Sequence, residues 1–291
     1  MTAPLVRQAH DATNVLHALI YFAPEAEQHF TAAGLEPGRM CYFAGRSAPM
    51  GAVGAGVVTA TFYNFSPDLV AAAIPRAWQL AAPAAVLQAR FAAVDAALRR
   101  LLGPELIAAP GLVTLAGLVR SAAAGCTPEG RPLYAGHADL PWPDGGPHLD
   151  LWHALSLLRE HRGDGHVAAL AAAGLSGLEA LVTHTATGEG FTPEFARASR
   201  GWAAADWDTA VAGLTARGLL DGAGELTAAG LEVRAKVERD TDRMAAPPWL
   251  HLGDERTEQV VRIGRELTAV VATAGAFPGS GVFAAPPSPP A

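Results

Sequence analysis

The sequence predicts an all-α fold of two helical lobes, with one small β-hairpin in the C-terminal half. Half of the 291 residues are hydrophobic and 17% are charged, which is typical of a chain that buries much of its surface. Apolar residues recur at helical spacing along most of the chain, as with Val15, Leu16 and Leu19. Single hydrophobic cores usually stop growing near this chain length, so we expect two domains.

A segment rich in Pro, Gly and Asp, residues 127–148, predicts the linker between these domains because such residues favour turns. We expect an N-terminal helical domain at 11–126 and a C-terminal domain at 149–275, whose last helices pack together or dimerise. Residues 1–10 and 276–291 are expected to be disordered. The C-terminal tail has mostly Gly, Pro, Ala and Ser and few apolar anchors.

The order of elements in the second half of the chain is informative. A short helix near 192–199 is followed by a turn at Gly201 and by a second helix with three apolar residues on one face, Trp207, Val211 and Leu214. Two short apolar stretches surround a Gly-rich turn within 217–227, which predicts a β-hairpin. A long helix begins directly after it and runs to about Met244.

This pattern resembles the end of MarR-type winged helices, in which the helix before the wing reads DNA and the helices after it dimerise. The residues that carry the resemblance are Arg217-Gly218-Leu219 before the turn and Leu226-Thr227 with Gly230 after it. The resemblance implies a two-lobed, all-α protein with a MarR-like winged helix that includes a small β-wing. It also implies a homodimer, for which the stripe Val260, Ile263, Leu267 and Val270 is suited.

The charge of the DNA-reading region disfavours binding to DNA. The whole chain has a net charge of −7. Between Thr185 and Leu226 there are six acidic residues and three arginines, a net charge of −3. Asp206 and Asp208 begin the helix that would face the phosphates, which repel carboxylates. If DNA is bound, the candidate contacts are Arg197, Arg200 and Arg217.

The segment from His153 to His166 holds the densest polar chemistry in the sequence. His153, His161, Arg162, Asp164 and His166 are candidate ligand-binding residues, with Glu160 beside them. Imidazole and carboxylate groups can ligate a divalent metal or act as a general acid and base. The spacing matches no established metal motif, so no metal site is assigned.

A packing interpretation of this segment is the alternative. Gly163 and Gly165 predict a turn between two helices. Asp164 would then cap the helix that follows, while His161 and Arg162 would complement the C-terminal dipole of the helix before it.

A second group of candidate ligand-binding residues lies in the N-terminal half, where Tyr42, Arg46, Tyr63 and Trp78 stand among apolar residues. An arginine buried in such surroundings needs an acidic partner or an anionic ligand, because burying the charge alone is too costly. Pairing with an acidic side chain and binding of a ligand both remain open.

The chain also resembles a family of actinobacterial helix-turn-helix proteins of unsettled role. The resemblance spans residues 13–275 and is carried by Tyr42-Phe43-Ala44-Gly45-Arg46, Ala60-Thr61-Phe62-Tyr63 and Leu158 to His166. It implies a winged helix and transcription regulation. It supplies no substrate, cofactor or catalytic residue.

The main functional hypothesis is a cytoplasmic, small-molecule-responsive regulator or ligand-binding protein with weak or lost DNA binding. Its ligand would be a small apolar or aromatic molecule. No apolar run is long enough to span a bilayer, so no membrane partner is expected. Two alternatives stay open, an enzyme or metal-binding protein that uses residues 153–166, and a scaffold for other proteins. Neither a cofactor nor a catalytic residue is identified.

Overall fold

The computed structural model describes residues 2–277, and within them the chain is almost entirely helical. The first eight helices are α1 (Ala3–Ala18), α2 (Pro24–Ala32), α3 (Arg39–Ser47), α4 (Ala55–Phe62), α5 (Pro67–Ala73), α6 (Arg76–Leu80), α7 (Pro83–Ile107) and α8 (Pro110–Ala123). Short 3₁₀ helices follow α1 and α3, at Leu19–Tyr21 and Ala48–Met50. Many of these helices begin at proline, whose fixed φ suits the first helical turn and whose missing N–H is not needed there.

The second half continues in the same way. Its helices are α9 (Pro132–Ala138), α10 (Pro147–Ala172), α11 (Gly177–Thr185), α12 (Pro193–Arg200), α13 (Ala204–Ala216), α14 (Ala228–Met244), α15 (Pro247–Leu252) and α16 (Asp254–Thr273). No single helix among the described residues has both the length and the mean hydropathy needed to cross a membrane, although two bent helix pairs pass when each pair is taken together.

The predicted β-wing is wrong. Residues 2–277 contain no β-strand, and the segment between α13 and α14 has only one isolated antiparallel bridge, between Leu220 and Leu226. The Asp221 carboxylate accepts hydrogen bonds from the backbone N–H groups of Ala223 and Glu225 at 2.8 and 3.0 Å. These bonds close a tight turn and leave too few residues on either side for a strand. The all-α class fits without the wing.

The described residues divide into two compact units that interleave along the chain. The first unit contains residues 2–54, 73–165 and 241–277, and the second contains 55–72 and 166–240. Helices α10 and α14 supply residues to both units. Whether the continuous segments 11–126 and 149–275 fold as independent domains stays a prediction.

The first unit has the larger core. Helix α1 packs against α16, α2 packs against α7, and α8 packs against both α15 and α16. Gly264 of α16 allows close approach to α1, since a Cβ there would lie 3.0 Å from the Ala12 carbonyl oxygen. The predicted dimerisation stripe on α16 faces this core, with Val260, Ile263 and Leu267 buried. The homodimer itself stays a prediction.

The second unit contains a helix-turn-helix. Helix α12 ends at Arg200 and is followed by Gly201, whose φ is 75°, and α13 begins at Ala204. Helix α11 packs against both α12 and α13. Only Leu214 of α13 is fully buried, so most of this helix is exposed.

Three further local expectations differ from the structure. Residues 3–10 were expected to be disordered but belong to α1, where Val6 and Ala9 are buried. The 127–148 linker contains helix α9. Helix α10 continues through the predicted turn at Gly163, so His153 to His166 lie on one helix. Of the tail expected to be disordered, 276–291, Ala276 is buried in the core, and residues from position 278 onward lie outside the described residues.

Candidate functional site

A cavity of about 290 Å³ opens in the first unit, between the residues after α1 and helices α2, α3 and α7. Its apolar walls come from Ile20, Phe22 and Phe30. Its polar groups come from Tyr21, Tyr42, Arg46 and Arg90, with Glu27 and Cys41 also on its wall. Tyr42 and Arg46 are four residues apart on α3, which places both on the same face of the helix.

Arg46 is held by an ion pair at this cavity. It is 8% exposed, and its Nε and Nη2 donate to the two carboxylate oxygens of Glu160 at 3.2 and 2.9 Å. Arg159 donates to the same carboxylate at 2.5 Å, and Nη1 of Arg46 donates to the Tyr42 hydroxyl at 3.3 Å. Burial acts to raise the pKa of the Glu160 carboxyl, but Arg159 and Arg46 outweigh it and hold that pKa well below its usual range. Glu160 therefore stays ionised.

Arg90 reaches the same cavity from α7 and is 2% exposed. Its Nη1 donates to Nε2 of His137 at 2.8 Å, while Nδ1 of His137 lies 2.8 Å from the Leu133 carbonyl oxygen and donates to it. Burial and then Arg90 lower the pKa of His137 to about 3, so this histidine is neutral. The Arg90 guanidinium also lies over the Trp152 ring, 4.8 Å from its centre.

Two more residues beside this cluster have buried polar atoms without hydrogen-bond partners among residues 2–277. They are Tyr21, at its hydroxyl, and His17, at both ring nitrogens. The His17 ring stacks on Trp152 at 5.5 Å, and the Tyr21 ring lies 5.3 Å from that of Tyr42. Burial lowers the pKa of His17 well below its usual range, and Arg159 lowers it further.

The remaining candidates on α10 are distributed around the helix rather than gathered in one pocket. His153 lies between the rings of Trp142 and Phe91, at 4.8 and 5.9 Å. The His161 ring is fully buried against Tyr134 at 5.3 Å, and neither of its nitrogens has a hydrogen-bond partner in the described chain. Burial is the main cause that lowers the pKa of each of these two histidines to about 4.

Asp164 acts as a helix cap, although it does not cap the helix that the sequence predicts. Its Oδ2 accepts from the backbone N–H groups of Leu133 and Tyr134 at 3.0 and 2.9 Å, in the first turn of α9. Burial raises the pKa of Asp164 to about 6 despite these bonds. Arg162 lies 2.8 Å from the Asp242 carboxylate, so it forms an ion pair.

The other candidate residues lie apart from the cavity lining. Trp78 donates its Nε1–H to the Val53 carbonyl oxygen at 2.8 Å in the first unit. Tyr63 and His166 belong to the second unit, where the Tyr63 hydroxyl donates to the Leu175 carbonyl oxygen at 2.5 Å. Tyr42 and Arg46 are thus the candidates that the structure brings together at the cavity.

Sequence reasoning missed Arg90, Tyr21, His17 and His137. Arg90 carried a usable signal, because it interrupts the apolar, alanine-rich helix α7, and a buried arginine needs a partner there as Arg46 does. Among the described residues, no group of three or more His, Cys, Asp and Glu side chains is arranged to hold a metal ion. Acid–base chemistry on α10 stays a prediction.

The helix-turn-helix of the second unit offers little free positive charge. Arg217 donates to Glu179 at 2.8 Å and to the Gly174 carbonyl oxygen at 3.1 Å. Arg200 lies over the Phe65 and Phe191 rings, and Arg197 is half-buried on α12. Asp206 and Asp208 are both exposed on the first turns of α13.

Comparison with known proteins gives one match. The sequence model of a helix-turn-helix family matches residues 6–278. No curated protein and no solved structure matches the chain. The family match covers nearly the whole chain, and α12 and α13 supply the two helices joined by a short turn. The protein therefore belongs to this helix-turn-helix family.

Proposed function

We propose that the protein is a regulator that binds a small apolar or aromatic molecule in the cavity of the first unit and binds DNA only weakly. The observation that carries the proposal is the cavity of about 290 Å³ beside the buried Arg46–Glu160 pair. Its volume is at the lower end of the range for small-molecule pockets, and it combines apolar walls with a few polar groups. Such a pocket suits a molecule of roughly ten to twenty non-hydrogen atoms.

The DNA-binding part of the proposal follows the MarR-like arrangement, in which α13 would approach the duplex. Asp206 and Asp208 oppose this approach, and Arg217 is already paired with Glu179. Phosphate contacts by Lys and Arg supply most non-specific affinity for DNA. We therefore expect weak binding that is detectable only at low salt.

The family match supports regulation, and the course of α10 supports a response to the ligand. This helix carries Glu160, which holds Arg46 at the cavity, and continues into the second unit. A change at Glu160 on ligand binding would therefore act on a helix that both units share.

Ligand binding is tested with benzamide, a neutral aromatic molecule that is small enough for the cavity. Isothermal titration should show binding to the wild-type protein and none to Ala26→Phe, because Ala26 lies on the cavity wall and the larger ring would fill the space. Ala32→Phe, at an exposed position of the same helix, is the matched control and should bind normally. Equal binding to all three proteins would place the ligand elsewhere and refute the proposal.

DNA binding is tested by fluorescence anisotropy with a labelled duplex at low salt. We expect Asp206→Asn/Asp208→Asn to bind several-fold more tightly than wild type, because two carboxylates no longer repel the phosphates. Glu255→Gln/Glu258→Gln makes the same change in net charge on exposed positions of α16. The absence of binding by every variant would refute the DNA-binding part. An equal gain in the α16 variant would show that α13 is not the contact surface.

A further inference from the structure

The polar groups behind the cavity carry more positive than negative charge. The charges of Arg46, Arg90 and Arg159 all act on the Tyr21 hydroxyl, and the carboxylate that acts on it is that of Glu160. Glu160 already accepts from Arg46 and Arg159. Arg90 therefore forms no ion pair among the described residues, and its side chain contacts a neutral histidine and the face of an aromatic ring. A buried guanidinium without an ion-pair partner is costly, which is why such groups usually face an anion.

Two hydrogen-bond donors at this cavity have no acceptor among residues 2–277. They are Nη2 of Arg90 and the hydroxyl of Tyr21, and both residues line the cavity. Unpaired buried donors are rare in folded proteins because each loses its hydrogen bonds to water without a replacement. A guanidinium N–H and a phenol O–H together match the two oxygens of one carboxylate.

The rest of the wall suits the body of such a molecule. Ile20, Phe30 and the ring of Tyr42 supply apolar and aromatic surface. The wall also includes one carboxylate, that of Glu27, which is exposed and accepts from the backbone N–H of Gly38 at 3.0 Å. Glu27 thus already accepts a hydrogen bond, whereas Nη2 of Arg90 and the Tyr21 hydroxyl are buried without a partner among the described residues.

We propose that the cavity binds an aromatic carboxylic acid as its anion, with the carboxylate against Arg90 and Tyr21 and the ring against Ile20 and Phe30. This inference rests on the proposed ligand-binding function and names the chemical class of the ligand. Arg90 and Tyr21 are then ligand-binding residues, while Glu160 is a positioning residue that holds Arg46.

Benzoate and benzamide test the class, because they have nearly the same shape and differ in charge. Isothermal titration at low salt should show that benzoate binds the wild-type protein at least tenfold more tightly than benzamide. Arg90→Gln should remove this preference. Arg99→Gln, an exposed arginine on the same helix, should keep it.

The outcomes separate this inference from the proposed function. Equal affinity for the two probes would overturn the inference while leaving small-molecule binding intact, whereas binding of neither probe would overturn both. A benzoate preference that survives Arg90→Gln would overturn the assignment to Arg90. Tighter binding of phenyl phosphate than of benzoate would overturn the carboxylate class.

Thermal unfolding without ligand tests whether Arg90 stabilises the fold rather than binding a ligand. Arg46→Met leaves Glu160 with one fewer partner and should lower the melting temperature by several degrees. Arg90→Met removes a charge that forms no ion pair among the described residues, but it also leaves Nε2 of His137 without its donor, so we expect a smaller fall in melting temperature than in Arg46→Met. A fall as large as that of Arg46→Met would show that Arg90 is needed for folding and would overturn the proposal.

Discussion

Buried neutral histidines should make the protein lose stability in mild acid, and His153 offers the clearest test. Its side chain is 1% exposed and lies between two aromatic rings. Burial, followed by Arg90 and Arg120, lowers its pKa from the usual 6.5 to about 4. The folded protein therefore keeps His153 neutral at a pH where the unfolded chain already binds a proton.

The sign and size follow from proton linkage. The stability that comes from a neutral His153 is fully present above pH 6.5 and is lost as the pH falls toward 4. Each pKa unit corresponds to about 1.4 kcal/mol, so the loss between pH 7.5 and 4.5 is about 2 kcal/mol for this residue. Asp164 acts in the opposite direction over the same range, because its raised pKa of about 6 removes stability as the pH increases.

Comparison of the wild type with His153→Gln isolates the residue, since the Asp164 contribution is common to both. Urea unfolding followed by circular dichroism at pH 7.5, 6.5, 5.5 and 4.5 gives the free energy of unfolding of each protein. We expect the wild type to lose about 2 kcal/mol more than the variant over this range. If the free energies of unfolding of the two proteins change equally with pH, the proposed contribution of His153 is refuted. His251→Gln, at an exposed histidine, should run parallel to the wild type.

Three other changes have defined outcomes. Gly177→Ala should lower the free energy of unfolding by about 2 kcal/mol or more, because its Cβ would lie 1.8 Å from the Tyr63 carbonyl oxygen; urea unfolding measures this loss. Thr192→Ala should cost about 1 kcal/mol by the same assay, because the Thr192 hydroxyl caps α12. Cys126, whose pKa burial raises to about 12, should react slowly with iodoacetamide at pH 8 in the folded protein and rapidly in urea.

Each of these has a contrary result that would count against it. Gly117→Ala, an exposed helical glycine with open space around it, is the control for Gly177 and should be neutral or slightly stabilising. Equal effects at the two glycines would argue against the close contact at Gly177. An unchanged stability for Thr192→Ala would show that the Thr192 hydroxyl does not stabilise α12. Equal alkylation rates for the folded and unfolded protein would contradict burial of the Cys126 thiol.

The helices were predictable because their signals are local. Apolar spacing and helix-starting prolines act within a few residues, so the all-α class and the α12–α13 pair could be found from the sequence. The β-wing was a wrong prediction because a Gly-rich turn between apolar residues is also compatible with a single bridge. The turn predicted at Gly163 and Gly165 was wrong for another reason. Gly165 lies within α10 and allows close packing, since a Cβ there would lie 2.8 Å from Nη1 of Arg131.

The cavity depends on contacts that no local pattern encodes. The requirement of Arg46 for an acidic partner or a ligand was predictable from its apolar surroundings. The partner itself, Glu160, could not be predicted, because it lies 114 residues away along the chain. Arg90 and Tyr21 reach the same cavity from separate helices, and spacing along the chain cannot show this.

The cap at Asp164 makes one short helix depend on a distant one. Helix α9 has seven residues, too few to persist alone in water, and two N–H groups of its first turn are satisfied by a side chain of α10. During synthesis α9 leaves the ribosome before the residue that caps it. It should therefore become ordered only after α10 has formed, so the segment joining α8 to α10 folds later than its place in the chain would suggest.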